Sequence, residues 1–444
     1  MSKSENRLIL ALAVPAVLQT VVKSSFPIID AFWVGKLGSV QLASVSVATF
    51  LTWGILSLGE IIATGNNALV AQTVGADNKK LSSKISLISI VNTLIYSVLL
   101  GNLIIFTTPY LYDIVNLNSE QRIYTDQFFH TFLYGLPAFL LLSTVSSSFR
   151  GFGDTRTPFY LLTSAAILNF LINPLLVFGI EISPGERILN LGVTGSALSS
   201  VISYFFIFVV GFHLLRKKGY RDKLFDYKID KKIITETFRI GLPLALNGLA
   251  FSFIYLFVSR FVSDYGSVGL AALGIGHRSE SLAYQMTVGF SLAATIMVGQ
   301  NIGAKKPDMA ERYAWKILKL SSVFILTFSA ILFIFSAGIA SIFSSDINVI
   351  NSASMLNKLS AIVLIFSAAD VILSGAFAGA GDTMPPAIIS FTFNILRIPL
   401  CALLSPVWGL DGVWIAICLS VALKGIFITL WFKRGNWKKI QPSF

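Results

Sequence analysis

The sequence Gly38-Ser39-Val40-Gln41-Leu42-Ala43 recurs as Gly266-Ser267-Val268-Gly269-Leu270-Ala271, at a separation of 228 residues (266 − 38). The same separation relates three further pairs: Pro15 and Pro243, Gln72 and Gln300, and Asp154 and Asp382. Apolar segments resemble one another by chance, but four matches in one register indicate an internal duplication. The register then shifts, because Gly192 pairs with Gly409 at a separation of 217 (409 − 192). The first half therefore carries eleven extra residues (228 − 217) near 181–190.

The composition indicates an integral membrane protein. Of 444 residues, 55% are hydrophobic and 13% are charged, whereas globular chains are about 25% charged. A membrane-spanning helix needs about 20 apolar residues, and the segments do not alternate as the strands of a membrane barrel do. The chain is therefore predicted to be all-α with twelve transmembrane helices, at 8–34, 40–74, 86–107, 124–149, 157–180, 191–215, 236–262, 267–299, 313–337, 350–378, 384–404 and 408–432.

The duplication divides these spans into two halves of six. An even number of spans returns the chain to the same side of the membrane, so the halves are expected to be related by a pseudo-two-fold axis along the membrane normal. We predict a first lobe at 1–216, a cytoplasmic linker at 217–235 and a second lobe at 236–444. Two six-helix lobes of this kind are expected to enclose a central cleft.

Basic residues indicate the orientation of the chain. The formal net charge is +12, which on a soluble protein would suggest nucleic-acid binding. In a membrane protein, however, Lys and Arg collect in cytoplasmic loops. The predicted linker and the carboxyl-terminal tail are rich in them: Lys217, Lys218, Arg221, Lys223, Lys228, Lys231, Lys232, Lys433, Arg434, Lys438 and Lys439. We therefore expect a multi-pass protein of the plasma (inner) membrane with both termini in the cytoplasm and no nucleic-acid partner.

Ordered motifs occur in both halves of the chain. They are Asp30-Ala31-Phe32-Trp33-Val34-Gly35, Gln72-x-x-Gly75-Ala76, Arg150-Gly151-x-Gly153-Asp154-Thr155, Arg278-Ser279-Glu280-Ser281-Leu282, Gln300-x-x-Gly303-Ala304 and Gly379-x-Gly381-Asp382-Thr383. This set resembles the MATE (multidrug and toxic compound extrusion) family over nearly the whole chain. The resemblance implies a V-shaped pair of lobes and multidrug efflux of amphipathic, often cationic compounds. It also implies an antiporter driven by Na⁺ or H⁺ without a further cofactor, and we expect a monomer.

Asp30 lies in the first span, and an intramembrane carboxylate is a functional candidate by default. It could hold a proton, bind Na⁺ or pair with a cationic group. The family's ion site in the first lobe combines this Asp with an Asn and an Asp in the fifth span, at positions that match Asn169 and Asn173. Asn173 can ligate Na⁺ through its amide oxygen but cannot titrate. Thr194 is a further candidate, through its hydroxyl, for this ion-coupling site.

The second half departs from the NorM-type branch of the family. That branch carries a Glu in the seventh span and an Asp in the tenth, where this chain has Phe251 and Ser367. We therefore place the chain closer to the DinF-like branch. Asp370 and Glu280 remain candidates for a second polar site. For Glu280 we favour the alternative that it pairs with a basic neighbour on its own helix, Arg278 or His277.

Further charged residues lie within the spans. Lys23 is seven residues before Asp30 and shares its helix face. A Lys at this depth should be paired or face a cavity, so its partner is either Asp30 or Glu60. Arg397 either contacts an anion or, as we favour, pairs within its own lobe.

Three prolines point to bent helices. Pro15 and Pro27 lie in the first span and Pro243 in the seventh. Because proline removes a backbone donor, it weakens the helix around it. We hypothesise that a cation or proton binding at Asp30 bends the first span and expels substrate.

Other functional classes fit the sequence less well. It contains no Gly-x-x-x-x-Gly-Lys-[Ser/Thr] loop for ATP and no His-Glu-x-x-His for zinc, so we expect no enzyme. A channel is disfavoured because polar rings are scarce. The remaining alternative is a flippase for a lipid-linked precursor of the same superfamily, which Lys23 and Arg397 keep open.

Overall fold

The computed structural model describes residues 3–115, 117–183, 186–217 and 230–440, which are almost entirely helical. Within them, ten helices are long and apolar enough to span a membrane, and a pair bent by 47°, Ser119–Tyr134 with Leu136–Gly151, makes eleven. The helix Met384–Lys433 has 50 residues and contains Gly409 at φ 58°, ψ −140°. Fifty residues would extend about 75 Å as one helix. It therefore comprises two spans, and the described residues account for the twelve predicted helices.

The first half of the sequence folds into eight helices and a hairpin in the residues described. They are α1 Lys3–Lys23, α2 Ser25–Val34, α3 Ser39–Gly75, α4 Lys79–Val115, α5 Ser119–Tyr134, α6 Leu136–Gly151, α7 Arg156–Phe178, β1 Ile180–Ser183, β2 Glu186–Ile188 and α8 Gly192–Lys217. The exposed strands β1 and β2 pair antiparallel. This hairpin coincides with the eleven extra residues that interrupt the repeat.

The second half contains six further helices and a final 3₁₀ turn in the described residues. They are α9 Lys231–Ser263, α10 Gly266–Gly303, α11 Pro307–Ile334, α12 Ser336–Ser341, α13 Ile347–Ala380, α14 Met384–Lys433 and the turn Asn436–Lys439. The predicted linker at 217–235 falls largely on residues 218–229, which lie outside the described residues.

The chain forms two compact units whose limits differ from the two halves of the sequence. The first unit is Leu18–Gly241, and the second unit is Met1–Val17 together with Leu242–Phe444. The beginning of α1 thus belongs to the second unit, and the beginning of α9 belongs to the first. In each half of the sequence, the start of the first span therefore packs in the unit that is formed mainly by the other half.

Glycines permit these exchanged segments to pack closely. In the first unit, a Cβ on Gly241 of α9 would lie 1.9 Å from the carbonyl oxygen of Ile61 in α3. In the second unit, a Cβ on Gly289 of α10 would lie 2.5 Å from the Cα of Val17 in α1. Ile61 and Gly289 are repeat-related (289 − 61 = 228). The repeat equivalent of Gly241 is Ala13 (241 − 228 = 13), one turn before Val17, so the two crossings join the same pair of repeat-related helices one turn apart. Small residues allow the close approach of the helices.

Ion pairs hold both exchanged segments in place. Asp230, directly before α9, lies 2.7 Å from the ammonium of Lys84 in α4, and this pairing lowers the pKa of the Asp230 carboxyl below its usual value. Glu5, in α1, pairs with Lys316 and lies 3.2 Å from the guanidinium of Arg312, both in α11. The packing of each segment is thus fixed by charge as well as by shape.

Candidate functional site

The first span is broken directly before the helix that carries Asp30. Helix α1 ends at Lys23, and α2, with ten residues, begins at Ser25. Pro27 has no N–H, so the carbonyl of Lys23 loses its helical partner, which explains the position of the break. Pro15 and Pro243, in contrast, lie inside the continuous helices α1 and α9. The break is local, because Ser24 keeps helical dihedral angles (φ −73°, ψ −12°) and α1 and α2 together form one span of 31 residues, Ser4–Val34.

The carboxylate of Asp30 is 5% exposed and accepts hydrogen bonds from three side chains. Asn173 Nδ2 donates to Oδ1 over 2.8 Å, and Ser196 Oγ donates to the same oxygen over 3.0 Å. Ser200 Oγ donates to Oδ2 over 3.2 Å. Because Asn173 is in α7 and both serines are in α8, Asp30 connects α2 to these two helices.

Two amide oxygens of this cluster have no hydrogen-bond donor among the described residues. Asn169 Nδ2 donates to Ser199 and Ser200, at 2.9 Å in each case. The Oδ1 atoms of Asn169 and Asn173 are buried and unpartnered, although buried acceptors are normally satisfied. Carboxylate and amide oxygens are the ligands that hard cations prefer. The three side chains Asp30, Asn169 and Asn173 therefore fit a Na⁺ ion, whereas a proton needs only Asp30.

The hydroxyl groups of the site differ from the one named in the sequence analysis. Thr194 lies in the first turn of α8 and forms no hydrogen bond to Asp30 in the described part of the chain. Instead, Ser196 and Ser200, one turn apart on α8, donate hydrogen bonds to Asp30. The sequence signal for them was available, because serines recur at 196, 199, 200 and 203 in an otherwise apolar helix.

Aromatic rings pack beside the cluster. Phe26, one turn before Asp30 on α2, has its ring centroid 4.7 Å from that of Tyr204 in α8. Tyr204 is in turn 4.3 Å from Phe139 in α6, and all three rings are buried. These apolar groups reduce the local dielectric, so a charge on Asp30 interacts strongly with its partners.

Lys23 pairs with Glu60 and leaves Asp30 without a basic partner. The ammonium of Lys23 lies 2.7 Å from Glu60 Oε1, and Ser143 Oγ donates to Oε2 over 2.7 Å. Of the two partners that the sequence left open for Lys23, the structure selects Glu60. In the residues described, Asp30 forms no ion pair, so a mobile cation can serve as its counter-ion.

The acidic candidates of the second unit are placed differently. Asp370 in α13 forms an ion pair of 2.9 Å with Lys424 in α14, a partner that the sequence analysis did not identify. Glu280 in α10 lies near the Ser360 hydroxyl and within electrostatic range of Arg397. No ion pair between Glu280 and Arg278 or His277 occurs in the described ranges, which corrects that expectation, because His277 packs its ring against Tyr255 instead.

Arg397 is held inside the second unit. Its side chain is 3% exposed, and its Nε donates to Ser420 over 2.9 Å. Its guanidinium carbon lies 5.7 Å from the ring centroid of Phe251. Asp370 thus has a basic partner inside the second unit, whereas the hydrogen-bond donors to Asp30 among the described residues are neutral.

A family model described as MatE matches two stretches of the chain, residues 15–175 and 243–403. The two stretches are offset by 228 residues (243 − 15), which is the separation of the repeated motifs. One copy of the family model thus corresponds to one copy of the internal repeat.

Relatives match the chain over nearly its whole length. A "Probable multidrug resistance protein NorM" of Thermotoga maritima is 26% identical, over 97% of this chain and 93% of that protein. An "FAD transporter" of Shewanella oneidensis is also 26% identical, over 95% and 93%. A solved structure of a MOP superfamily transporter from Pyrococcus furiosus has a TM-score of 0.89 at 20% identity, over 98% and 97%. At this identity the structural likeness shows a shared fold.

Proposed function

Because the chain belongs to the MatE family, whose model covers both of its halves, we propose that it is a multidrug efflux antiporter. It is a multi-pass membrane transporter and not an enzyme. It exports amphipathic, cationic small molecules and takes up H⁺ or Na⁺ in exchange. The drug-resistance name of the Thermotoga maritima relative supports the export of drugs, and Phe251 and Ser367 support a position nearer the DinF-like branch.

The buried, unpaired carboxylate of Asp30 is the observation that carries this proposal. A charged group in an apolar membrane protein is costly unless it is compensated. Here the compensation comes from the dipoles of Asn173, Ser196 and Ser200. These neutral donors stabilise the carboxylate but leave its negative charge uncompensated. A fixed Lys or Arg would neutralise that charge permanently and exclude a mobile cation. The site can therefore bind and release a monovalent cation in each cycle.

A proton and a sodium ion would use the cluster differently. Protonation turns one acceptor oxygen of Asp30 into a donor, and the unpartnered amide oxygens of Asn169 and Asn173 are acceptors available to it. Sodium would bind the carboxylate and the same two amide oxygens together. In either case the charge of Asp30 is neutralised, and its hydrogen bonds to α7 and α8 change.

The change at Asp30 acts on α2. This short helix is separated from α1 at Ser24 and is held to α7 and α8 by the Asp30 carboxylate. When a cation neutralises Asp30, α2 changes direction about the break and the affinity for substrate falls. Linkage requires that substrate in turn weakens cation binding by the same factor.

Transport by the purified protein in liposomes tests the proposal. Ethidium exchange is measured with a pH gradient alone and with a Na⁺ gradient alone. We expect at least one gradient to drive transport. Asp30→Asn should reduce transport to background, because the neutral amide cannot bind and release a proton or replace the carboxylate as the charged ligand of Na⁺. Asp264→Asn, an exposed aspartate beyond α9, is the matched control and should transport normally. Full ethidium exchange by folded Asp30→Asn would overturn the assignment.

Two further variants separate the coupling ions. Asn169→Ala and Asn173→Ala each remove an amide oxygen next to Asp30 but keep the carboxylate. If Na⁺ drives exchange, both variants should raise the Na⁺ concentration that is needed, whereas transport driven by protons should largely persist.

We also propose that the protein resides in the plasma membrane as a monomer with both termini in the cytoplasm. The basic tail residues Lys433, Arg434, Lys438 and Lys439 support this orientation through the positive-inside rule. Labelling of single cysteines at the two termini from each side of the membrane would test it.

A further inference from the structure

Five polar side chains from three helices lie in the first unit and are here called the polar ring. Gln19 and Lys23 lie one turn apart on α1, Glu60 is in α3, and Ser143 and Arg150 lie two turns apart on α6. Glu60 joins Lys23 to Ser143 through contacts of 2.7 Å on each side. Arg150 Nη1 donates to Gln19 Oε1 over 3.4 Å, which places Arg150 against α1 one turn before Lys23. The coupling cycle at Asp30 uses none of these five residues.

The polar ring carries an excess of positive charge. It contains two cations, Lys23 and Arg150, and a single carboxylate, Glu60, which makes a direct ion pair only with Lys23. Arg150 is 8% exposed, and its Nε is buried without a hydrogen-bond partner among the described residues. A buried guanidinium with an unused donor is costly in an apolar protein. An anion bound at the ring would satisfy both the charge and the donor.

One edge of the ring is open. The side chain of Lys23 is 48% exposed and that of Glu60 is 30% exposed. An ammonium in the middle of a membrane span cannot face hydrocarbon at this exposure, so it faces a water-filled space. Lys23 is also the last residue of α1, next to the break before α2. The positive edge of the ring is therefore reachable from the aqueous side.

We propose that the polar ring is a binding subsite for an anionic group, a phosphate or a carboxylate, on amphipathic compounds that the protein transports. This inference rests on the proposed transport function and extends its substrates beyond purely cationic compounds. Lys23 and Arg150 supply charge-assisted hydrogen bonds to the anion. Glu60 competes with the anion for Lys23 and so keeps the affinity moderate, as a transport site requires.

Binding to the full-length protein in phosphatidylcholine nanodiscs tests the subsite. The probe is 4-methylumbelliferyl phosphate, and 4-methylumbelliferone is its uncharged match, both titrated by calorimetry. We expect the phosphate ester to bind more tightly than the uncharged compound. Lys23→Gln should weaken binding of the ester by about tenfold, the effect of one charge-assisted hydrogen bond. The same substitution should leave binding of the uncharged compound unchanged.

Glu60→Gln provides the decisive comparison, because it should strengthen binding of the ester. It removes the competing carboxylate, whereas a merely structural role of Glu60 would make every substitution harmful. The double variant Lys23→Gln with Glu60→Gln should bind the ester nearly as Lys23→Gln does, because without Lys23 there is no ammonium for which Glu60 competes. The subsite is overturned if Glu60→Gln weakens binding or if the ester binds no better than the uncharged compound. If Lys23→Gln fails to fold, the ester affinity of Glu60→Gln relative to that of the wild type tests the subsite by itself.

Discs that contain phosphatidylglycerol distinguish a soluble anion from a lipid headgroup. If this lipid reduces ester binding in the wild type but not in Lys23→Gln, the subsite takes lipid phosphates. If it has no effect, the subsite takes soluble anions. The ester titrations need no ion gradient, and ethidium exchange is measured without the ester. Failure of the ester titrations therefore overturns the subsite alone, and failure of wild-type ethidium exchange overturns the proposed coupling alone.

Discussion

Asn173 occupies the position at which the related family usually has a second carboxylate, and its surroundings show the consequence. Its Nδ2 donates to Asp30 over 2.8 Å, while its Oδ1 remains without a partner among the residues described. An aspartate here would accept hydrogen bonds rather than donate one to Asp30. The present pair therefore carries one negative charge and is internally hydrogen-bonded, which favours a single exchanged cation.

Replacement of Asn173 by Asp should strengthen Na⁺ binding. The added charge should lower the Na⁺ concentration for half-maximal ethidium exchange by about tenfold, since ligand charge tunes the affinity of cation sites. Asn118→Asp is a charge-matched control, because Asn118 caps α5 by accepting from the Gln121 N–H and aspartate caps a helix equally well. An unchanged Na⁺ dependence in Asn173→Asp would remove this residue from the ion site.

At the scale of elements, the break between α1 and α2 separates two attachments of the first span. Lys23 holds the end of α1 to α3 through Glu60, and Asp30 holds α2 to α7 and α8. Each attachment lies on its own side of the break. If Asp30 couples transport as proposed, its change of charge acts on α2, while the pair of Lys23 and Glu60 continues to hold α1.

Pro27→Ala should join α1 and α2 into one helix. The new N–H can donate to the carbonyl of Lys23, which should stabilise the protein by about 1 kcal/mol. We expect slower ethidium exchange, because bending is then opposed. Pro109→Ala, within the continuous helix α4, is the control and should affect stability without slowing transport. Thermal unfolding and initial transport rates provide the two measurements, and undiminished exchange by Pro27→Ala would contradict this role of the break.

At the scale of the whole molecule, the exchange of helix starts relates the two halves of the sequence. The crossing of α9 over α3 and that of α1 over α10 join repeat-related helices. Each crossing depends on a glycine with no room for a side chain. A duplicated gene thus produced two units, each of which is completed by the start of a span from the other half.

Gly241→Ala and Gly289→Ala should each destabilise the protein by about 1–3 kcal/mol, because the added methyl group meets the backbone of the crossing helix. Gly274→Ala is the matched control, since a Cβ there would have nothing within 4 Å. It should be neutral or slightly stabilising, as alanine favours helix. Thermal unfolding in detergent would measure all three, and equal effects of the three substitutions would contradict the close crossings.

The sequence by itself determined the membrane class, the twelve spans and the duplication, because hydropathy and repeat spacing are local or periodic properties. From the resemblance to the family it also predicted Asp30, Asn169 and Asn173 as an ion-coupling set; the structure places the three side chains in one hydrogen-bonded cluster, and their role stays a prediction. Ser196 and Ser200, the pairing of Lys23 with Glu60 and that of Asp370 with Lys424 were decided only by the tertiary structure. Such contacts join residues far apart in the chain. Which donor reaches which acceptor depends on helix rotation and packing, and a single sequence does not encode these in its local pattern.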